Sequence, residues 1–458
     1  YLTTTSGSNA PGFYYWNNPT TSWVGIGGSA SGNNWALAGN TVNATTDFMG
    51  STNNADVIFK RNNVRAGRIG DSRTSFGYNS LNPASTGVGL VAMGVSSLSA
   101  NTTGSYLTAI GNDALNKNTT GSQNTAIGTA AMYNNTTGEY NFALGNDALK
   151  QNTSGSFNIG IGVAALTSNT IGNRNIAIGN DALKSSTNKS YNIGIGESAL
   201  KNNTVGQYNI AVGSNSMENN SGSRNNVLGT FSLRNNTSGS DNTAIGYEVL
   251  YRNTTGNNNI AIGTNALYNA TSSQNVAVGR EALNGVTTGQ TNVGIGQQAL
   301  NLVTTGSNNI GIGFGANVPS NTGSNQVRIG DANITYAGIQ VAWTTTSDER
   351  WKDNIQPSNL GLSFINQLKP VSYTRKNDVK KSVEYGFIAQ ELQASLQKFG
   401  VENAGIISTD DNGMLGVRYN DLLAPMILAT QEQQKQILEL QKLIIEMKKK
   451  LDSLNDKF

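Results

Sequence analysis

NTAIGTAAMYNNTTGEY, residues 124–140, and NIAIGNDALKSSTNKSY, residues 175–191, align position for position, and this repetition decides the fold. The glycine of the AIG signature recurs from Gly77 to Gly330 in sixteen copies, thirteen of the fifteen spacings being 17 and two being 16. The consensus is N-x-A-I-G-x-x-A-L-x-x-N-T-T-G-S-x. A short apolar step, a glycine corner, a second apolar step and a polar Asn-Thr-Gly turn describe one coil of a β-solenoid, with the Ile and Leu of each coil expected inside. At one strand spacing of ~4.8 Å per coil, sixteen coils make a rod of roughly 75 Å. So thin a coil has almost no private core. Its few apolar side chains do not offset the entropy of ordering 17 residues, and several copies sharing one axis are expected.

The repeat also explains two patterns that would otherwise suggest sites. Asp113, Asp147 and Asp181 fall two residues after the marker glycine, as do Glu248 and Glu281, one per coil. Lone acids without the G-G-x-G-x-D calcium pattern are expected on a solvated outer face. The many Asn-x-Thr triplets match a glycosylation acceptor, yet here they are expected to be turn chemistry repeated by the period.

Charge divides the chain. Residues 1–346 hold 29 charged side chains and residues 347–458 hold 30, so a boundary falls at 346/347. The expected organisation is an aromatic-rich β cap or attachment region at 1–70, the shaft at 71–346, an α+β domain at 347–424 and a coiled-coil helix at 425–458. In the first region Phe13, Tyr14, Tyr15 and three of the five Trp residues, up to Trp35, cluster together. They suit the core of a small cap, a sugar-stacking platform or an attachment surface, and the cap is preferred. In the last regions GFIAQELQASLQKFG places Ile388, Leu392, Leu396 and Phe399 on one helical face, with Gly400 as the stop. Ile437, Leu440, Ile444, Met447, Leu451, Leu454 and Phe458 then keep an unbroken heptad register. So narrow a seam asks for partner helices rather than a membrane surface.

Composition excludes much. The chain has 458 residues, no Cys, no His and a net charge of +3. Neither a nucleic-acid tract nor a bilayer-spanning stretch is present. Disulfides, thiol nucleophiles, histidine-based triads and most zinc sites are ruled out, and no cofactor or metal is expected. The first residue is Tyr1, not Met, so the expectation is of a mature or trimmed piece.

With His and Cys absent, the nucleophile and base available in SDERWKDNI, residues 347–355, are Ser347 and Lys352. Five apart on a helix they stand roughly 140° apart and would meet only across a turn or between chains. The alternative is a capped helix start, with Ser347 as N-cap and Asp348 and Glu349 in the first turn.

SDERWKDNI, followed by LSFINQLKPVSYTRK, YGFIAQELQ, GVRYNDLLAPMI and the terminal heptads, resembles the C-terminal intramolecular chaperone and auto-processing domain of phage tail fibres, tail spikes, endosialidases and some bacterial surface proteins. The resemblance covers residues 347–458. It implies a trimeric chaperone that assembles the preceding fibre and then releases itself with a Ser-Lys dyad. Ser347 would be the nucleophile and Lys352 the base. The scissile bond would be Ser347 to Asp348, with Arg350 and Asn354 as supporting positions. Relatives with a histidine beside the dyad differ from this chain. The shaft is similar in style to the head repeats of trimeric autotransporter adhesins. The overall expectation is a mostly β, elongated homotrimeric solenoid with an α+β chaperone domain ending in a coiled coil. It would be extracellular, on a virion or a bacterial surface, anchored at its N-terminal end and directed at a cell-surface glycan or receptor. The other classes weighed are a carbohydrate-active tail spike enzyme, for which two convergent carboxylates are missing from the repeats, and an ice- or surface-binding solenoid, which would want flat Thr arrays.

Overall fold

A computed structural model describes residues 14–17, 22–25, 53–341, 343–402 and 405–456. Strand β1 (Tyr14–Asn17) pairs antiparallel with β2 (Ser22–Gly25), with Trp16 in register with Trp23. Phe13, Trp35 and Phe458 lie outside the described residues. Strands β3 (Val57–Arg61) and β4 (Val64–Ile69) form a hairpin, and β4 lies antiparallel to β5 (Arg73–Phe76). This hairpin closes the end of the shaft, and the Arg65 side chain donates to the Ser80 and Leu81 carbonyls of the first coil.

From β5 onward every pairing is parallel, one strand per coil, up to β20 (Val327–Ile329). Each strand pairs only with the coils before and after it. The last strand is separated from β3 by roughly 80 Å of stacked strands, so the sheet is an open stack along one axis rather than a ring. Where the spacing drops to 16, the missing residue comes from the polar turn, and the strand register continues unbroken, Ile210 opposite Asn226 and Ile260 opposite Val276.

The orientation of the side chains differs from the sequence expectation. The Leu after the glycine is fully buried, as at Leu149, Leu166 and Leu183, but the Ile before the glycine faces outward. The three-residue strand alternates, so the middle residue, Ala or Gly in all coils but those of Val227 and Arg328, points inward and its neighbours point out. The interior is narrow, and Val227 is the largest apolar residue at this inward place. A Cβ on Gly160 would already stand 3.4 Å from Leu149 Cγ. The result is one continuous line of Ala and Leu from Leu81 to Val318.

The second apolar step is not a strand. Asp147 (φ 59°) and Leu149 (φ 52°) sit in the left-handed region, and the same two positions repeat along the shaft. A left-handed leucine costs about 1–2 kcal/mol. The alternation aims successive N–H groups along the axis: Asp147 N donates to Thr129 O of the preceding coil at 3.0 Å, and Leu149 N to Ala165 O of the following coil at 2.9 Å. Buried backbone groups are thereby paired.

The Asn residues of the repeat are not surface turn residues. Asn135, Asn152 and Asn169 are fully buried, and Asn141 and Asn158 of a second column are buried as well. Asn152 Nδ2 donates to Asn135 Oδ1 at 2.8 Å and to Gly155 O at 2.9 Å. Asn158 N donates to Asn141 Oδ1 at 2.9 Å. Two amide ladders thus flank the leucine line, each amide tying one coil to the next.

The C-terminal region is small. Helix α1 (Leu362–Ile365), strands β21 (Val371–Tyr373) and β22 (Glu384–Gly386), helix α2 (Ala389–Lys398), strands β23 (Ile407–Thr409) and β24 (Leu415–Val417) and helix α3 (Leu423–Asn455) surround a core of Leu360, Phe364, Leu392, Leu396, Ile406 and Leu422. Leu392 and Leu396 of the expected amphipathic helix lie in it. Helix α3 docks only by its first turns, where Pro425 and Ala429 are buried and Glu432 accepts a hydrogen bond from Leu362 N. Beyond them the heptad residues from Ile437 to Leu454 are exposed. Among the described residues no helix is long and apolar enough to cross a membrane.

Candidate functional site

The residues singled out in SDERWKDNI do come together. Glu349–Trp351 form one turn of 3-10 helix. The N-cap is Asp348, not Ser347: its carboxylate accepts the Arg350 backbone N–H at 2.9 Å and grips the Arg350 guanidinium at 2.9 and 2.8 Å. A serine cap would have tied up its hydroxyl on the backbone; with aspartate in that place Ser347 Oγ is left to Lys352. Lys352, in extended conformation just after the turn, sends Nζ back to Ser347 Oγ at 2.9 Å. The expectation of two side chains facing different ways holds for an α-helix. A single tight turn between extended ends brings positions five apart onto the same side.

Around this pair the electrostatics are simple. The Arg350 guanidinium on Asp348 holds its carboxyl below the usual carboxylate range, and Asp348 in return raises Arg350. Asn354, two residues after Lys352, is in the left-handed region at φ 53°. Both Ser347 and Lys352 are exposed, and Trp351 beside them is 82% exposed. Upstream, Tyr336, Val341 and Trp343 are also open to solvent.

One contact has no counterpart in the sequence reading. Asp411 N donates to Pro319 O at 2.9 Å and its carboxylate accepts Asn321 N at 2.6 Å, joining the β23–β24 hairpin to the last coil of the shaft. The turn signal D-D-N-G at 410–413 is legible; its contact with a segment 90 residues earlier is not.

The other candidates have structural roles. Asp181 accepts Lys201 at 3.0 Å across coils and Lys184 at 3.0 Å within its own. Asn118, Asn135 and Asn253, each heading an Asn-Thr-Thr triplet, are buried in the ladder and closed to modification, whereas Asn202 and Asn333, which also head Asn-x-Thr triplets, are exposed. The threonines do line up, but Thr119 Oγ1 donates to Thr136 O at 3.0 Å and Thr136 Oγ1 to Thr153 O at 2.9 Å, so these hydroxyls serve the stack.

Residues 347–401 match the family described as chaperone of endosialidase. No curated protein and no solved structure matches the chain. The match begins at Ser347, the residue at which the charge density changes and the Ser-Lys contact forms. The molecule therefore combines a β-solenoid shaft of 17-residue coils with a chaperone segment of this family.

Proposed function

We propose that the chain is a fibre of the tail-fibre or spike type, displayed on a virion or a cell surface, whose C-terminal segment aligns three copies and then cuts itself away at Ser347–Asp348. The observation that carries this reading is the 2.9 Å contact between Lys352 Nζ and Ser347 Oγ at the first residue of the matched segment. Lys352 Nζ takes the hydroxyl proton and Oγ attacks the carbonyl carbon of the Ser347–Asp348 bond. The Asp348 nitrogen leaves with a proton returned by Lys352, and water hydrolyses the resulting ester. A hydroxyl attacking the carbonyl of its own residue would close a strained four-membered ring, so the attacking Ser347 belongs to a second copy. A lysine becomes a base when it is desolvated. Lys352 is exposed in the single chain, and the second copy supplies the cover. Assembly precedes cutting.

The shaft gives this order a purpose. Every coil resembles the next, so three shafts pairing unaided would meet in many registers. A compact C-terminal domain with exposed heptads fixes the register first; cutting afterwards removes the reverse path and turns assembly into kinetic stability. The far end of the fibre would be anchored, and a surface glycan or receptor contacted along its length.

Intact-mass measurement of the wild type beside Ser347→Ala and Lys352→Ala tests the chemistry. Two fragments are expected from the wild type and a full-length chain from each variant, and an uncut wild type would remove the peptidase reading. Coexpressing tagged Ser347→Ala with the wild type tests the direction of attack. In mixed assemblies the tagged chain should be cut on the N-terminal side of its Asp348, whereas intact variant chains beside cut wild-type chains would place the attack within one chain.

A further inference from the structure

The residue just before the marker glycine forms a column on the outer face of the sheet, running from Phe76 and Met93 through Ile161 and Leu228 to Ile329. All sixteen members are Ile, Val, Leu, Met or Phe, and none is buried: Leu228 is 52% exposed and Ile312 is 41% exposed. The neighbouring column two residues earlier is apolar or Thr except at Asn226. The residue just after the glycine behaves differently. It includes Asn112, Glu197, Arg280 and Asp331, as solvent-facing positions do.

A solvated β face has no need of sixteen successive apolar residues; Thr, Lys or Gln serve there equally well. Sixteen coils of ~4.8 Å and a width of ~10 Å give a face of about 770 Å², close to the ~800 Å² that each partner contributes to a standard stable interface. Its ridges repeat at the strand spacing, so its complement must repeat at that spacing too. Another shaft of this sequence does so. The heptad seam of α3 is another uncovered apolar surface among the described residues, and helices aligned side by side hold the shafts parallel.

We propose that this outward strand face is where copies of the shaft pack on one another, parallel and in register. The proposal rests on the multi-copy reading above and names its contact surface within the shaft.

The absence of cysteine makes a direct test available. In the assembled full-length chain, Leu228→Cys lies in the apolar column, whereas Val163→Cys lies in the column after the glycine; the two positions are equally open in the single chain, at 52% and 51%. In a parallel, in-register assembly identical positions of the apolar column converge. A short bis-maleimide is expected to give covalently linked chains from Leu228→Cys and single chains from Val163→Cys. Equal linkage, or linkage only from Val163→Cys, would overturn the assignment of the face. As a second arm, Ile161→Glu, Ile178→Glu and Ile195→Glu together leave the inward Ala and Leu untouched, and the shaft of residues 1–347, freed by cutting from the heptads that aligned it, should sediment as a single chain. An assembly of unchanged mass would overturn the face while leaving the chaperone reading standing. A wild type that sediments as one chain of 48.2 kDa would overturn both.

Discussion

A coil of the shaft and the segment that follows it use similar residues to opposite ends. In the shaft even the polar turn is internal: Leu183 and Asn152 are fully buried and each coil is hydrogen-bonded to its neighbours. Between Gly330 and Leu360, where the Ser-Lys pair lies, large apolar side chains stand in solvent and the local order comes from one turn clipped by Asp348. The shaft coil is specified by the chain itself and by its two neighbours. The site is specified only as far as a 2.9 Å contact, and its chemistry waits for a cover. A substitution in the shaft should therefore be felt in stability, and one at the site in cutting.

The sharpest way to break the shaft half of this contrast is Gly145→Ala. Gly145 has φ 138°, and an added Cβ would collide with Gly162 O of the next coil, a backbone carbonyl already held in its turn by Ala165 N. Backbone strain and overpacking together should cost about 4 kcal/mol. Because a stacked array does not unfold as one unit, the measurement is amide hydrogen exchange across residues 128–162, where protection should be lost locally. Unchanged protection would mean that the corner is not held as described.

Leu183→Ala should come next, at about 3 kcal/mol for a cavity in a line only one leucine thick. Asn152→Ala should follow, at about 2 kcal/mol, because it leaves Asn135 Oδ1 and Gly155 O without these donors. Hydrogen exchange separates the two: the leucine variant should loosen coils on both sides, the asparagine variant mainly the turn between residues 135 and 155. If Asn152→Ala exchanges like the wild type, the amide ladder contributes nothing and the asparagines are ordinary turn residues.

What the sequence discloses, and what it hides, follows from the same physics. The 17-residue period, α2 and the heptads of α3 are legible because each rests on spacing or composition. The inside and outside of the coil are not. Hydropathy places Ile within and Asn without, but in a tube this narrow the strand's alternation puts Ala or Gly, and once Val227, opposite Leu, and the amides are needed inside to satisfy the turn carbonyls. Left-handed leucines are equally unreadable, since propensity argues against them and only the stacked neighbours compensate. At the site, the absence of His and Cys leaves only a hydroxyl with a lysine, and it is the resemblance of SDERWKDNI that points to Ser347 and Lys352. Their meeting is hidden by the assumption of α-helical geometry, and it is decided by which residue takes the cap.

The mildest test concerns the cap. Arg350 holds the Asp348 carboxyl below its usual range, so the sign is that of a group with a depressed folded pKa: the favourable contribution is fully present above the ordinary carboxylate pKa of about 3.9 and is lost as pH falls through the lower folded value. Both side chains are exposed, so chain stability should hardly register the change. The geometry of the turn should. Carboxyl-carbon NMR of labelled aspartate in Lys352→Ala, which keeps the bond intact, is expected to show Asp348 titrating below about 3.9, and Arg350→Ala should bring it back toward that value. In an otherwise wild-type chain, Arg350→Ala should slow cutting without changing the protection of the coils, because it loosens the turn that returns Lys352 to Ser347. Unaltered cutting by that variant would show that the dyad forms without the clip, and that the site, like the shaft, is positioned by its neighbours alone.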